Sequence, residues 1–220
     1  MIKRGIFGGT FDPIHWGHLK IAQTALLTHQ LKEVIWIPQL FPPHNISRAT
    51  ITQRWSMVEL AIASYPQFYL PATLEQWQNN LFSNLSQSPD YAIDTFYLLQ
   101  KLYPASKWFW ILGIDSFLTL SRWKGREILI PACNWLVAVR NLPDMNLLVQ
   151  LQQVATELQS QGIEIIWELL PMEAIDISSS QIRQTSTTVN QSLDQFLPPS
   201  VQQYIIQHHL YSDQKSLPST

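Results

Sequence analysis

Two histidines three positions apart, His15 and His18, follow a glycine pair in the run Gly8-Gly9-Thr10-Phe11-Asp12-Pro13-Ile14-His15-Trp16-Gly17-His18. Adjacent glycines let a backbone come close to a ligand, and their amides can point at an anion. At a helix entrance, residues three apart share a face, so His15 and His18 would both look toward one site beside the positive end of the helix dipole. Imidazole N–H groups donate well to phosphate oxygens. The chemistry this predicts is a phosphate cradle. A tight turn explains the glycine pair as readily, and two histidines at this spacing can also ligate a metal. The H-E-x-x-H arrangement is absent, however, and cysteines give no help. Neither the Walker order nor G-x-G-x-x-G occurs here.

A second group lies far along the chain: Asp176-Ile177-Ser178-Ser179-Ser180-Gln181-Ile182-Arg183. Ser178 and Gln181 have the spacing of a capping box, which predicts a helix start at Ser178. Three small hydroxyl residues at a helix N-terminus suit an anion. Arg183, one turn further on, could take a terminal phosphate with a forked pair of hydrogen bonds. An ordinary capped surface helix explains the same residues.

Groups so far apart need a scaffold, and the rest of the sequence predicts one. Residues 2–7, 33–37, 107–112, 134–139 and 163–168 are short apolar runs rich in β-branched and aromatic residues, and read as buried strands. Helical periodicity fills roughly 17–30, 51–64, 90–102, 145–160 and 198–209. Strand alternating with helix predicts an α/β fold, a Rossmann-like doubly wound parallel sheet covered on both faces. Ligands in such a sheet bind at the C-terminal ends of the strands, which is where the first motif falls. The Pro-rich stretch 38–50 reads as a loop, and the Gln/Asn/Ser-rich stretch 75–90 has weak periodicity. The organisation expected is one domain over 1–211, with a small helical C-terminal cap over about 178–211 and a polar tail over 212–220.

The 220 residues are 46% hydrophobic and 14% charged, which suits one well-buried domain and excludes a disordered chain. A formal net charge of −2 gives no general attraction to nucleic acid or acidic membranes. Cys133 is the single cysteine, so neither an internal disulfide nor a cysteine metal cluster can form. No apolar run is long enough for a signal peptide or a bilayer span. A cytoplasmic protein is expected, with no nucleic-acid or membrane partner.

Taken together, GIFGGTFDPIHWGHL at 5–19 and DISSSQIR at 176–183 resemble the H-x-G-H nucleotidyltransferases, and within them the bacterial nicotinate-mononucleotide adenylyltransferases. PPH at 42–44, YAIDT at 91–95, GIDSFLTLSRWK at 113–124 and LPPSVQQYIIQHHLY at 197–211 extend the resemblance, in order, over nearly the whole chain. It implies a fold of nucleotidyltransferase type and transfer of AMP from ATP to a pyridine mononucleotide, with Mg²⁺ accompanying ATP and no separate protein-held metal. His15, His18 and Arg183 would be the catalytic phosphate contacts. Gly8, Gly9, Thr10 and Phe11 would line the ATP cleft, with Gly113, Asp115 at the ribose, Arg140, Ile177, Ser178 and Ser179. The mononucleotide would meet Thr10, His44, Tyr91, Ala92, Trp123 stacked on its pyridine ring, and the Lys124 amide. A homo-oligomer is left open.

The sequence departs from the family's pattern at two places. Asn45 stands where the family commonly has lysine, and Ala92 stands where S-Y-T supplies a threonine near the pyridine carboxylate. Strict preference for nicotinate over nicotinamide mononucleotide is therefore not expected, and the choice between the two acceptors stays open. Competing readings are a relative with another phosphate acceptor, a nucleotide-binding regulator without turnover, and a fragment of a class I tRNA-synthetase type.

Overall fold

The computed structural model describes residues 1–41, 47–82, 91–139, 144–172, 177–185 and 193–211. Strands β1 (Ile2–Gly9), β2 (Glu33–Pro38), β3 (Phe68–Tyr69), β4 (Ser106–Gly113), β5 (Cys133–Ala138) and β6 (Ile166–Leu169) form one sheet in the order β3-β2-β1-β4-β5-β6. Every adjacent pair is parallel. The order reverses between β1 and β4, and a crevice opens there at the carboxyl ends of the strands.

Helices α1 (Trp16–Thr28), α2 (Ile51–Ile62), α3 (Leu74–Phe82), α4 (Ala92–Leu102), α5 (Ile114–Phe117), α6 (Arg126–Ala132), α7 (Met145–Ser160), α8 (Ser179–Thr185) and α9 (Pro199–Gln207) flank this sheet, with a 3₁₀ turn at Leu120–Arg122. Strand side chains alternate between the faces, as a period of two requires. Phe7, Val34, Trp36, Phe109, Ile111 and Leu136 pack on one face with α1, α2 and α9. Ile6, Ile35, Trp108, Trp110, Trp135 and Val137 pack on the other with α3, α4, α6 and α7. Burial on both faces is why these strands read as continuous apolar runs.

The expected elements are present, with shifted ends. β1 continues through Gly8 and Gly9, which pair with Ile37 and Pro38, so the strand outlasts its apolar run. β6 begins at Ile166 opposite Asn134, and Ile163 and Ile165 lead into it, buried but outside the ladder. The polar stretch after residue 74 contains α3, held by two apolar residues one turn apart, Trp77 and Leu81, both buried. A capping box starts it: the Gln76 N–H donates to Thr73 Oγ1 at 3.2 Å and the Thr73 N–H to Gln76 Oε1 at 3.3 Å. Residues 83–90 and the tail at 212–220 lie outside the described residues.

Candidate active site

At the carboxyl end of β1 the two glycines have different roles. A Cβ built on Gly8 meets nothing within 4 Å, and the same holds for Gly113 at the end of neighbouring β4. Open space thus lies beside the backbone on both sides of the switch point, which a ligand approaching the main chain requires. A Cβ on Gly9 would lie 3.0 Å from the Phe11 ring. Gly9 makes room for that ring. Phe11 takes a left-handed φ of 50°, uncommon for a bulky residue, with its side chain 2% exposed. The ring meets Phe7 and His18 edge-on, with centroids at 5.5 Å and 5.1 Å. Phe11 therefore offers the crevice its backbone, while its side chain supports His18.

His15 and His18 bracket the start of α1. The His15 N–H donates to His18 Nδ1 at 3.2 Å, so a neutral His18 carries its proton on Nε2. The two imidazoles lie face to face, with centroids 3.7 Å apart and a 30° tilt. The Trp16 N–H donates to the Phe196 carbonyl at 3.0 Å, which fixes the helix entrance against the segment before α9.

The second motif docks on this loop. Ser178 caps α8 as its spacing predicts, accepting from the Gln181 N–H at 3.2 Å. Ser179 Oγ donates to the Pro13 carbonyl at 2.9 Å. Arg183 Nη1 donates to the Asp12 carbonyl at 2.6 Å, and Nη2 donates to Ser180 Oγ at 3.1 Å. A guanidinium, two serine hydroxyls and two imidazoles thus gather around one loop end. Such a set of donors neutralises and orients phosphate oxygens.

Beneath the loop lies a buried polar group that the sequence motifs do not announce. Asp12, 3% exposed, accepts from the Arg48 and Ala49 N–H groups at 2.8 Å and 3.2 Å and from the Tyr211 hydroxyl at 2.7 Å. Arg54, 1% exposed, donates from Nη1 to the Thr10 carbonyl and from Nη2 to the Gln39 carbonyl, both at 2.7 Å. It therefore fastens the ends of β1 and β2 together, beside the contact between Thr10 Oγ1 and Gln39 Oε1 at 3.3 Å. Burial pulls the Arg54 guanidinium below its ordinary value, and Asp12 opposes that shift. One signal for Arg54 was available: with Met57, Val58 and Ala61 it falls on a single helical face.

A second group forms after β4. Trp123, half-buried, stands edge-on to Trp110 and Trp135 with centroids at 6.3 Å and 5.9 Å, and its Nε1 donates to Thr119 Oγ1 at 3.0 Å. Lys124 Nζ lies 4.5 Å from the centre of the Tyr91 ring. Tyr91, Ala92, Trp123 and Lys124 therefore share one corner, next to the start of α4. Gly113 and Asp115 link it to the side that carries the β1–α1 loop, because they end β4 and begin α5 beside β1.

Residues 6–185 match the cytidylyltransferase-like family. The chain is 39% identical over 213 residues to the probable nicotinate-nucleotide adenylyltransferase of Trichormus variabilis, covering 94% of this chain and 96% of that protein. The same holds at 38% identity, with the same coverage, for the protein of that name from Nostoc sp.. The chain belongs to the cytidylyltransferase-like family, in its nicotinate-nucleotide adenylyltransferase branch. Among solved structures, the Plasmodium falciparum nicotinic acid mononucleotide adenylyltransferase complexed with NaAD superposes with a TM-score of 0.71, covering 96% of this chain and 98% of that one. At 19% identity, that likeness carries the fold alone.

Within this adenylyltransferase branch, two residues expected at the site, His44 and Arg140, lie outside the described residues, as do Asn45 and Asp176. Asp115 is exposed on α5, and Ile177 packs partly buried against the face that carries α1. No three His, Cys, Asp or Glu side chains among the described residues gather so as to hold a metal ion. No helix of the described residues is long and apolar enough to cross a membrane.

Proposed function

We propose that this adenylyltransferase joins the AMP unit of ATP to nicotinate mononucleotide, giving the deamido form of NAD and pyrophosphate. The observation that carries the reading is the docking of α8 on the β1–α1 loop. Through Ser179 and Arg183, it brings both phosphate motifs to one end of the crevice.

The mechanism follows from what these groups are. An oxygen of the mononucleotide phosphate attacks the α-phosphorus of ATP in line. The bond to the bridging oxygen breaks, and pyrophosphate departs with that electron pair. A phosphate nucleophile is already ionised at neutral pH, so the step needs no strong base and no covalent enzyme intermediate. Positioning and charge stabilisation supply the catalysis. His15, His18 and Arg183 take the role of phosphate donors, with the Gly8–Thr10 backbone lining the ATP side. Trp123 is assigned to the pyridine ring. Mg²⁺ enters as the ion of MgATP, part of the substrate.

Nicotinamide mononucleotide is a proposed second acceptor, because Ala92 places a methyl group where the family's threonine supplies a hydroxyl. The cytoplasm is the proposed compartment, in keeping with ATP as substrate and with the buried, unpaired thiol of Cys133. The test is incubation with MgATP and either mononucleotide, following dinucleotide and pyrophosphate by chromatography. Dinucleotide and pyrophosphate in equal amounts are expected. Binding of ATP with no product from either acceptor refutes the reaction.

A further inference from the structure

The turn after α9 reaches back into the loop that carries the histidines. Tyr211 is 199 positions from Asp12 in sequence, yet its hydroxyl donates to Asp12 Oδ1 at 2.7 Å. The ring that delivers it is 6% exposed, packed with the face that holds α1, α2 and α9. Its backbone is wound to do so: His209 and Tyr211 take left-handed φ angles of 50° and 64°, which non-glycine residues adopt only when their surroundings hold them there. At the other end of the bond, Phe11, next to Asp12, is also left-handed, at 50°. Unfavourable backbone thus stands on both sides of a single buried hydrogen bond.

The acceptor of that bond organises the site. The other Asp12 oxygen, Oδ2, accepts from the Arg48 N–H at 2.8 Å and lies 4.0 Å from Arg183 Nη1, while Oδ1 also accepts from the Ala49 N–H. The Asp12 carbonyl takes the Arg183 Nη1 hydrogen bond. Whatever fixes Asp12 therefore fixes both the anchor of Arg183 and the strap at residues 48–49. Arg54, which holds Thr10 two positions earlier, acts on Asp12 through its charge, but its hydrogen bonds go to the main-chain carbonyls at 10 and 39 and not to the Asp12 carboxylate.

We propose that Tyr211 is a positioning residue for adenylyl transfer, a latch that fixes Asp12 and, through it, the Arg183 guanidinium on the phosphate side of the crevice. The inference rests on the reaction proposed above. It goes further by placing a determinant of that reaction in a turn that touches neither substrate in that scheme.

The experiment compares wild type with Tyr211→Phe, which keeps the ring and removes the hydroxyl. Steady-state kinetics are measured with both substrates, with thermal melting and with hydrogen exchange of peptides covering 10–18 and 47–50. The latch predicts a kcat about tenfold lower, the effect of losing one hydrogen bond to a charged group. It also predicts a raised KM for ATP, an unmoved KM for the mononucleotide, and faster exchange at both peptides. A kcat that falls only in step with the folded fraction overturns the proposal, as does wild-type exchange with wild-type kinetics. If wild type makes no dinucleotide, the reaction assigned above fails instead. The exchange comparison still decides the latch, faster exchange in the variant supporting it and equal exchange overturning it.

Discussion

Arg183 reaches across 171 positions of sequence to place its Nη1 2.6 Å from the main-chain carbonyl of Asp12. Two motifs that read separately as a glycine turn and a capped helix are thereby one constellation. Neither fixes a phosphate site alone: the first supplies imidazoles and open backbone, the second a guanidinium and hydroxyls. Four consequences can be measured.

His18 is the more exposed of the two imidazoles, and its ring is oriented by the bond from the His15 N–H and by the edge of Phe11. His18→Ala removes one of the donors proposed above to face the developing phosphate charge. Such donors are each typically worth about 3–4 kcal/mol, so kcat should fall about a hundredfold or more while the fold survives. Turnover by this variant at the wild-type rate, measured as pyrophosphate release, excludes His18 from that role.

Ala92 opens α4 at the corner shared with Tyr91 and Trp123. Ala92→Thr restores the hydroxyl present in the family's pattern. The ratio of kcat/KM for nicotinate over nicotinamide mononucleotide should rise about tenfold, the value of one well-placed hydrogen bond. An unchanged ratio means that selectivity is set elsewhere.

Gly125 has φ +67°, and a Cβ there would lie 2.7 Å from Ile93 Cγ1. Gly125→Ala must therefore push the 123–125 turn away from the start of α4, separating Trp123 and Lys124 from Tyr91. The expected outcome is a raised KM for the mononucleotide with little change in KM for ATP, together with a lower Tm. Equal shifts in both KM values would show that the two sides of the crevice are not independent.

Burial drives the hydroxyls of Tyr69 and Tyr211 well above the ordinary tyrosine value of 10.0, with Tyr103 reinforcing the first and Asp12 the second. The unfolded chain releases both protons near pH 10, whereas the folded chain keeps them. The folded state then binds more protons, so stability is fully present below pH 10 and falls above it. Each tyrosine contributes a slope of about 1.4 kcal/mol per pH unit. Urea unfolding across this range should give a shallower decline for Tyr211→Phe than for wild type. Parallel declines would contradict the buried, protonated hydroxyl.

Much of the scaffold was legible because its determinants are local. Apolar runs of strand length between amphipathic helices specify a parallel sheet, and the capping pair at Ser178–Gln181 marks a helix start; the structure adds a second such pair at Thr50–Gln53. The pair at Thr73–Gln76 marks a third just as clearly, but α3 rests on little more than Trp77 and Leu81 amid polar residues, so its period is faint. The short edge strand β3 pairs only Phe68 and Tyr69 with β2, too little sequence to show a pattern. At the site, the histidines and Arg183 were legible as residue types with spacing. The bonds of Arg54 to Thr10 and Gln39, and of Tyr211 to Asp12, join distant residues, and no local rule encodes such partners.

The central place of β1 has a consequence for how the chain is made. Its two ladder partners start at residues 33 and 106, so during synthesis β2 can pair with it long before β4 exists. Until then a strand carrying Ile6 and Phe7 presents an unpaired edge, the template on which other chains add. Pairings of such long sequence separation also form slowly, because loop closure must precede any gain from contact. The seam between β1 and β4, at whose carboxyl end the proposed chemistry sits, is therefore the later of the two pairings of β1 to form. A ribosome-bound chain halted before residue 113 is the species that chaperones would need to shield.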